Sequence, residues 1–342
     1  MSISCAKLTF YRFGSIVLFV KSAPLQRPRF LLFEVQILTD SNTSTKHGWQ
    51  GPLLLLLTAF IWGTSFVAQS VGMETVQAFT FNGIRTLLGA LVLLPVLLIR
   101  HVLSQRGASE SEKKALRRIR SNTLRKGIRI GLVFFIACNF QQCAFYYSTS
   151  GKIALITSLY MFFVPLLGLF IHKRIPLLTW VSIAAGFVGL YFLCINPQDL
   201  QAVNLGDFLA FICAFFYGIH ILLIEKAADE IDGPLLSFIQ FLLSGILTCT
   251  LMFLFETPQL AAIKSALPSI LYSGLLSCGV AYTLQIIGQK RTEATVASLL
   301  MCSESMFAVI ASGLVLHEIL TGRELIGCVI MLIAIVLSQV PG

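Results

Sequence analysis

The chain has 342 residues, of which 56% are hydrophobic and only 12% charged, with a net charge of +9 and a mean hydropathy of +0.84. A soluble fold carries about 25% charged residues, so too few charges exist here to cover an aqueous surface. An ordinary soluble globule, a disordered chain and a disulfide scaffold are all excluded.

Residues 1–50 hold two short apolar runs, 13–20 and 30–38, flanked by Arg12, Lys21, Arg27 and Arg29. Both are too short to cross a bilayer, and no small-residue cleavage motif follows a proper apolar region. They read as a surface-lying or poorly ordered extension, or as sequence upstream of the true start.

From residue 51 onward the apolar residues fall into ten blocks: 52–71, 76–99, 128–147, 151–171, 177–195, 205–224, 234–254, 268–288, 294–316 and 322–340. A helix needs about 20 apolar residues to cross the hydrocarbon core. Continuous apolar runs mean helices rather than barrel strands, whose residues alternate. The expectation is an all-α polytopic membrane protein with no soluble domain after residue 50.

Loops on the side of residue 50 carry Arg100, Arg106, Lys113, Lys114, Arg117, Arg118, Arg120, Arg125, Lys126, Arg129, Lys173, Arg174, Lys226, Lys290 and Arg291. The opposite side carries only Lys152, Lys264 and Arg323. Basic loops stay in the cytosol, so both ends of the bundle are expected there, in a plasma or inner membrane. The positive charge is thus accounted for by topology and attraction to anionic lipid, not by a nucleic-acid partner. Within the basic loop 100–127, Ser109 and Glu112 fit a capping box and predict a short basic helix lying on the inner leaflet. The nine cysteines stand singly, eight of them inside spans, with no C-x-x-C. They read as small packing residues.

The two parts of the chain echo each other. Ala59-Phe60-Ile61-Trp62-Gly63 in span one matches Ala214-Phe215-Phe216-Tyr217-Gly218 in span six. At the same offset Arg85 falls opposite Gln240 and Gly89 opposite Ser244, while Ala154, Ser158 and Leu159 match Ala294, Ser298 and Leu299 at a shorter one. The chain therefore reads as two five-span repeats, 51–195 and 205–340. An odd number of spans gives them opposite topology, a recurring plan of secondary transporters.

Ala59 through Phe66, Phe81-Asn82-Gly83-Ile84-Arg85, and Ala154 through Pro165 resemble the EamA family of the drug/metabolite transporter superfamily, and the resemblance covers about 51–340. It implies a basket-shaped bundle of ten helices around a central cavity. Spans one to four and six to nine would line it, with five and ten outside. It also implies export of small metabolites, often amino acids or their relatives, or of drugs, commonly with proton or gradient coupling. Similar proteins often have a Glu-Arg pair after span four, where this chain has His172-Lys173-Arg174; span nine keeps Glu318. A loop-glutamate role is not carried over to the first half.

Polar side chains at membrane depth are costly and need a reason. Trp62, Ser65 and Gln69 share one helical face, as do Asn139, Gln142 and Tyr146, Tyr282 and Gln285, and Tyr217 and His220. Interhelical glue is one reading; a polar substrate cavity, with Asn82, Arg85 and Tyr160 added, is the other. Arg85 is either a carboxylate-binding group or a structural arginine satisfied by Asn82, Gln69 or backbone carbonyls. Glu304, the only carboxylate at that depth, is either a proton-coupling group or a partner for Arg85. His220 is a second coupling candidate or a packing residue. Asp207 reads as a helix N-cap. Pro95 and Pro165 predict kinks, and Pro165 also a hinge. Small residues in span five (Ser182, Ala185, Gly186, Gly189) and span ten (Gly327, Ala334, Ser338) suit a scaffold or a homodimer contact.

No Walker sequence, H-E-x-x-H, G-x-S-x-G or potassium-filter sequence occurs, and no motif calls for a cofactor or metal. The reading is a secondary transporter, an exporter of a small polar metabolite by alternating access. Its rivals are a receptor-like ligand-binding membrane protein, a nucleotide-sugar or organic-phosphate carrier, and an intramembrane enzyme built on Glu304 and His220.

Overall fold

The computed structural model describes residues 12–13, 16–17, 48–105, 109–148, 150–170, 175–194, 204–315 and 321–340. The chain divides into two units, residues 1–45 and 46–342. In the first, β1 (Arg12–Phe13) pairs antiparallel with β2 (Ile16–Val17). The rest of the expected extension before residue 48 lies outside the described residues, as do His172-Lys173-Arg174 and Glu318.

The described part of the second unit is helical. The helices are α1 (Gln50–Met73), α2 (Ala78–Gln105), α3 (Glu110–Ala144), α4 (Ser150–Thr157), α5 (Tyr160–Leu169), α6 (Leu177–Cys194), α7 (Leu205–Ala227), α8 (Gly233–Phe255), α9 (Leu260–Ser265) and α10 (Leu267–Tyr272). A π-helical segment, Ser273–Ala281, follows, then α11 (Tyr282–Gln289), α12 (Ala294–Met301), α13 (Glu304–Val315) and α14 (Gly322–Ser338). Among the described residues, nine helical stretches are long and apolar enough to cross a membrane. The 17 residues of α14 rise about 25 Å at 1.5 Å per residue, near the lower limit for a span.

Local chemistry sets the boundaries. Asn204 caps α7 with Asp207 at the third position completing a capping box. Asp207 is thus not itself the cap expected from sequence: the cap, Asn204, lies three residues before it and the helix begins at Leu205. Thr321 and Glu324 form the same device on α14, and Ser109 with Glu112 forms the expected one on α3. That helix corrects another expectation. The basic segment is not a separate surface helix but the first turns of a 35-residue helix continuous with the third span. Nothing between Glu110 and Ala144 breaks it, because the stretch lacks proline and its one interior glycine pair, Gly127 and Gly131, packs against Ile239 and Gln240.

Two spans are interrupted. The fourth breaks at Ser158-Leu159 and the ninth at Cys302-Ser303, each through tight three-residue hydrogen bonds such as Met161 N to Ser158 O and Ser305 N to Cys302 O. The break in the fourth lies nearly two turns ahead of Pro165 rather than at it; α5 and α2 carry Pro165 and Pro95 within helix. The Cys302 thiol sits 3.6 Å from the Ser158 carbonyl, so the interruptions touch.

Packing inverts the soluble pattern. Phe253, Leu254, Val181 and Val336 are exposed, while Asn82, Gln142, Gln240 and Glu304 are buried. This is the arrangement lipid demands, because hydrocarbon cannot hydrogen-bond a polar group. α2 packs along α8 and α6 along α14; α1 packs on the π segment, α11 and α13, while α7 packs on α3, α4 and α5. The small residues of α6 and α14 are spent on each other. A methyl group added at Gly189 would lie 2.9 Å from Met331 N and 3.0 Å from Gly327 O, and one at Gly327 would lie 2.8 Å from Gly189 O. We expect Gly189→Leu to cost about 1–3 kcal/mol by overpacking and to lower the melting temperature of the detergent-purified protein by several degrees. Gly322→Leu, where nothing lies within 4 Å, is the control that leaves it unchanged.

Candidate functional site

A cavity of about 500 Å³, counting the space open at its mouth, lies at the centre of the bundle. Its walls come from α1 (Trp62, Phe66, Gln69), α2 (Arg85), α3 (Gln141), the fourth span (Thr157, Tyr160), α7 (Tyr217, Ile221), the π segment and α11 (Ser277, Tyr282, Gln285) and the ninth span (Met301, Glu304). Eight residues singled out in sequence therefore meet on one surface: Trp62, Gln69, Arg85, Tyr160, Tyr217, Tyr282, Gln285 and Glu304.

Arg85 is 5% exposed. Its Nε donates to Asn82 Oδ1 at 2.9 Å; Asn82 donates to Asn139 Oδ1 at 3.0 Å, and Asn139 donates to Thr248 Oγ1 and Phe135 O, both at 2.8 Å. Asn82 and Asn139 thus stand behind Arg85 rather than in the cavity wall. They hold the guanidinium by one edge, and the Phe81 ring lies 5.8 Å from its carbon. Glu304 is the first residue of α13, directly after the helix break. Gly63 sits against it: a methyl group there would lie 2.7 Å from Ala308 N and 2.7 Å from Phe307 Cβ. Only a residue without Cβ lets α1 approach the interrupted helix this closely. Among the described residues, Glu304 and Arg85 form no ion pair with each other, and the Glu304 carboxylate accepts no hydrogen bond.

Neutral polar groups complete the wall. Trp62 packs on Tyr282 with centroids 4.6 Å apart and ring planes tilted by 54°, and Tyr282 and Tyr217 hydroxyls lie 3.3 Å apart. The Trp62 Nε1 donor and the Gln285 Oε1 acceptor are buried without partners. A buried polar atom without a partner costs about 1–3 kcal/mol, a cost that water or a ligand in the cavity would relieve.

Four further candidates lie elsewhere. Ser65 bonds Ser273 Oγ at 3.2 Å and ties α1 to the π segment. Gln142 is fully buried outside the cavity lining, with neither amide atom partnered. Tyr146 lies two residues past the end of α3, so the expected stripe with Asn139 and Gln142 does not continue to it. Its half-exposed hydroxyl instead accepts from Ala78 N at 2.6 Å, at the start of α2. His220 is packed behind the wall between Phe134 and Tyr217, bonded to Gln240 at 3.1 Å.

Six lining residues were not read from sequence. Phe66, Ile221 and Met301 are apolar and indistinguishable from core. Gln141 points inward where its neighbour Gln142 was expected to. Thr157 lies just before a helix break that α-helical spacing does not foresee. Ser277 joins Tyr282 at a five-residue interval, which aligns side chains in a π-helix and not in an α-helix.

Polar clamps close the ends. Arg100 reaches Asp232, the N-cap of α8, with bonds of 3.2 and 3.1 Å. At the other end Glu256, which follows α8, accepts from Phe79 N, Thr80 N and Thr80 Oγ1 at 2.8, 2.7 and 2.7 Å and so caps α2. The ends of these paired helices are tied reciprocally. Lys152 and Asp207 form a largely buried pair at 2.6 Å, joined by Ser148.

The same architecture recurs in known proteins. A model of the EamA-like transporter family matches the chain twice, over residues 49–195 and 204–339. An uncharacterized transporter of Archaeoglobus fulgidus is 26% identical over 83% of this chain and 83% of its own length. The uncharacterized transporter YoaV of Bacillus subtilis is 22% identical over 81% and 92%. A crystal structure with 16% identity superposes with a TM-score of 0.69, covering 84% of this chain and 95% of the other, a likeness of fold. With two copies of the family pattern filling nearly all of the helical unit, the chain is a multi-pass membrane protein that belongs to the EamA-like transporter family, within the drug/metabolite transporter superfamily.

Proposed function

We propose that the protein exports a small polar or zwitterionic metabolite, such as an amino acid or a related compound or drug, by alternating access around the central cavity. The observation that carries this reading is a cavity wall holding one cationic and one anionic side chain, Arg85 and Glu304, that do not neutralise each other. A bidentate pair from Arg85 would take a carboxylate. Trp62 Nε1, Gln285 and the two tyrosine hydroxyls supply neutral contacts, with Gln69 and Tyr160 beside them. Asn82 and Asn139 position Arg85, and Ser65 and Tyr146 tie together helices that carry the wall. Arg85 is the one lysine or arginine among the lining residues, which weighs against polyanionic cargo such as a sugar nucleotide.

Ten spans in two inverted repeats supply the switch. The reading is supported by the double family match and by the packing pattern, in which exchanging the halves maps the contacts of α1 onto those of α7 and returns the α2–α8 and α6–α14 pairs to themselves. The touching helix breaks beside Tyr160 and Glu304 are the discontinuities that transporter sites are built on. Glu304 is the coupling group in this scheme, exchanging a proton as the cavity changes its exposure. His220, buried behind the wall, is the secondary candidate. Basic loops place both bundle ends in the cytosol of a cell that carries the protein in its plasma or inner membrane. Outward aliphatic residues of α6 and α14 remain for lipid or for a second copy.

Untargeted metabolite profiling of culture medium tests the cargo. A compound accumulating outside with wild type, at least about ten-fold less with an Arg85→Ala variant that still reaches the membrane, is the expected result for a lost charge-assisted pair. Identical media from wild type, variant and empty vector under several growth conditions overturn the export reading. In vesicles loaded with that compound, Glu304→Gln should abolish accumulation driven by a pH gradient while leaving exchange of labelled for unlabelled compound intact. Loss of both activities would place Glu304 in binding rather than coupling.

A further inference from the structure

α3 is longer than a span requires. The hydrocarbon core takes about 20 residues of helix, and the helix has 35, of which the end at Ala144 lies in the bundle. About 15 residues, from Glu110 to near Arg125, therefore rise beyond the core. One side of this segment is committed to the protein. Thr123 receives Asp232 N at 3.0 Å, Lys126 pairs with Glu230 at 3.0 Å, and Gly127 and Gly131 lie on α8.

The opposite side has a different composition. At about 100° per residue, Lys114, Arg117, Arg118, Arg125 and Arg129 fall within an arc of about 140°, together with Leu124 and Ile128. All seven are exposed. The same arc runs on to Leu132, which is 43% exposed in the apolar part of the helix. The cationic stripe is therefore the direct continuation of a lipid-facing surface, not of a surface that lines the cavity or an end clamp. The five cationic side chains have no hydrogen-bond or ion-pair partner among the described residues, whereas Lys113, Arg120 and Lys126 on other sides of the helix do.

We propose that this stripe is a docking surface for the headgroups of anionic phospholipids. Leu124, Ile128 and Leu132 lie against acyl chains at the level where Arg125 and Arg129 reach the phosphates. Lys114, Arg117 and Arg118 stand in the negative potential above them. Topology alone needs positive charge near the span but does not need it on one face, unpaired, in line with exposed aliphatic side chains. The proposal is independent of the transported compound.

The test uses the full chain purified in detergent after exposure to mixed phosphatidylglycerol and phosphatidylcholine, with retained lipid measured by mass spectrometry. Wild type should retain phosphatidylglycerol about five-fold above the input ratio, and 0.5 M sodium chloride in the wash should reduce that enrichment by screening. The variant with Lys114, Arg117, Arg118, Arg125 and Arg129 all changed to Gln should fall to the input ratio while melting normally in phosphatidylcholine micelles. A Lys113→Gln/Lys126→Gln variant, off the stripe, should keep the enrichment. Equal enrichment in wild type and five-site variant, or none in wild type, overturns the proposal. So does displacement of the lipid by 50 mM inorganic phosphate, which would mark a free-anion site, or binding of a polyglutamate peptide without lipid enrichment, which would mark an acidic protein partner. Should the five-site variant not fold, salt-insensitive enrichment in wild type overturns it equally.

Discussion

Hydrocarbon offers no hydrogen bonds, and the rest of the structure follows from that constraint. Among the described residues of the spans the backbone is wound into helix, most outward-facing positions are aliphatic or aromatic, and Asn82, Gln142, Gln240 and Glu304 are turned inward. Where the inward groups outnumber the partners they find, the interior is polar enough to hold a cavity. Arg85 shows the balance. One edge of its guanidinium is held by Asn82, which is held by Asn139, which is held by Thr248. Three helices thus fix the group whose remaining donors face open space. Burying an arginine is tolerable because the network orients it and its remaining donors line the cavity.

Close approach of helices is the second requirement, and glycine supplies it at the positions that matter. Gly63 lets α1 lie against the start of α13 at Glu304, and Gly89 lets α2 lie on the π segment at Cys278. In each case a side chain would push apart helices that carry opposite walls of the cavity. The π segment widens the turn so that Ser277 and Tyr282 share a face, while Thr58 bonds the Ala281 carbonyl at 3.2 Å and Ser65 bonds Ser273. An irregular helix is stable here because its neighbours take up the groups it exposes.

The end clamps and the interrupted spans differ in the kind of contact that joins them. α2 and α8 are joined at both ends by charged groups, Arg100 to Asp232 and Glu256 to the first turn of α2. α6 and α14 are joined by backbone-to-backbone contact at Gly189 and Gly327. By contrast the fourth and ninth spans meet where both are broken, through a thiol and a carbonyl. The strong contacts pair equivalent helices, and the weak one lies beside Tyr160 and Glu304.

Composition and block length alone dictated helices in a bilayer, because no other backbone arrangement buries runs of 20 apolar residues in lipid. Helical spacing also identified Trp62, Gln69, Tyr282 and Gln285, since a polar group on one face of a lipid-embedded helix must turn inward, and depth alone marked Arg85 and Glu304. Tertiary structure decided the rest. It separated Gln141, in the wall, from Gln142, behind it. It ended α3 at Ala144 and so removed Tyr146 from the expected stripe. It withdrew His220 into the packing around Phe134, made Asp207 the third residue of its helix rather than the cap, and ran the basic loop straight into the third span. These outcomes depend on which face each helix turns to its neighbours and on where a helix breaks or widens. Both are settled by contacts between residues far apart in the chain, which local spacing does not encode.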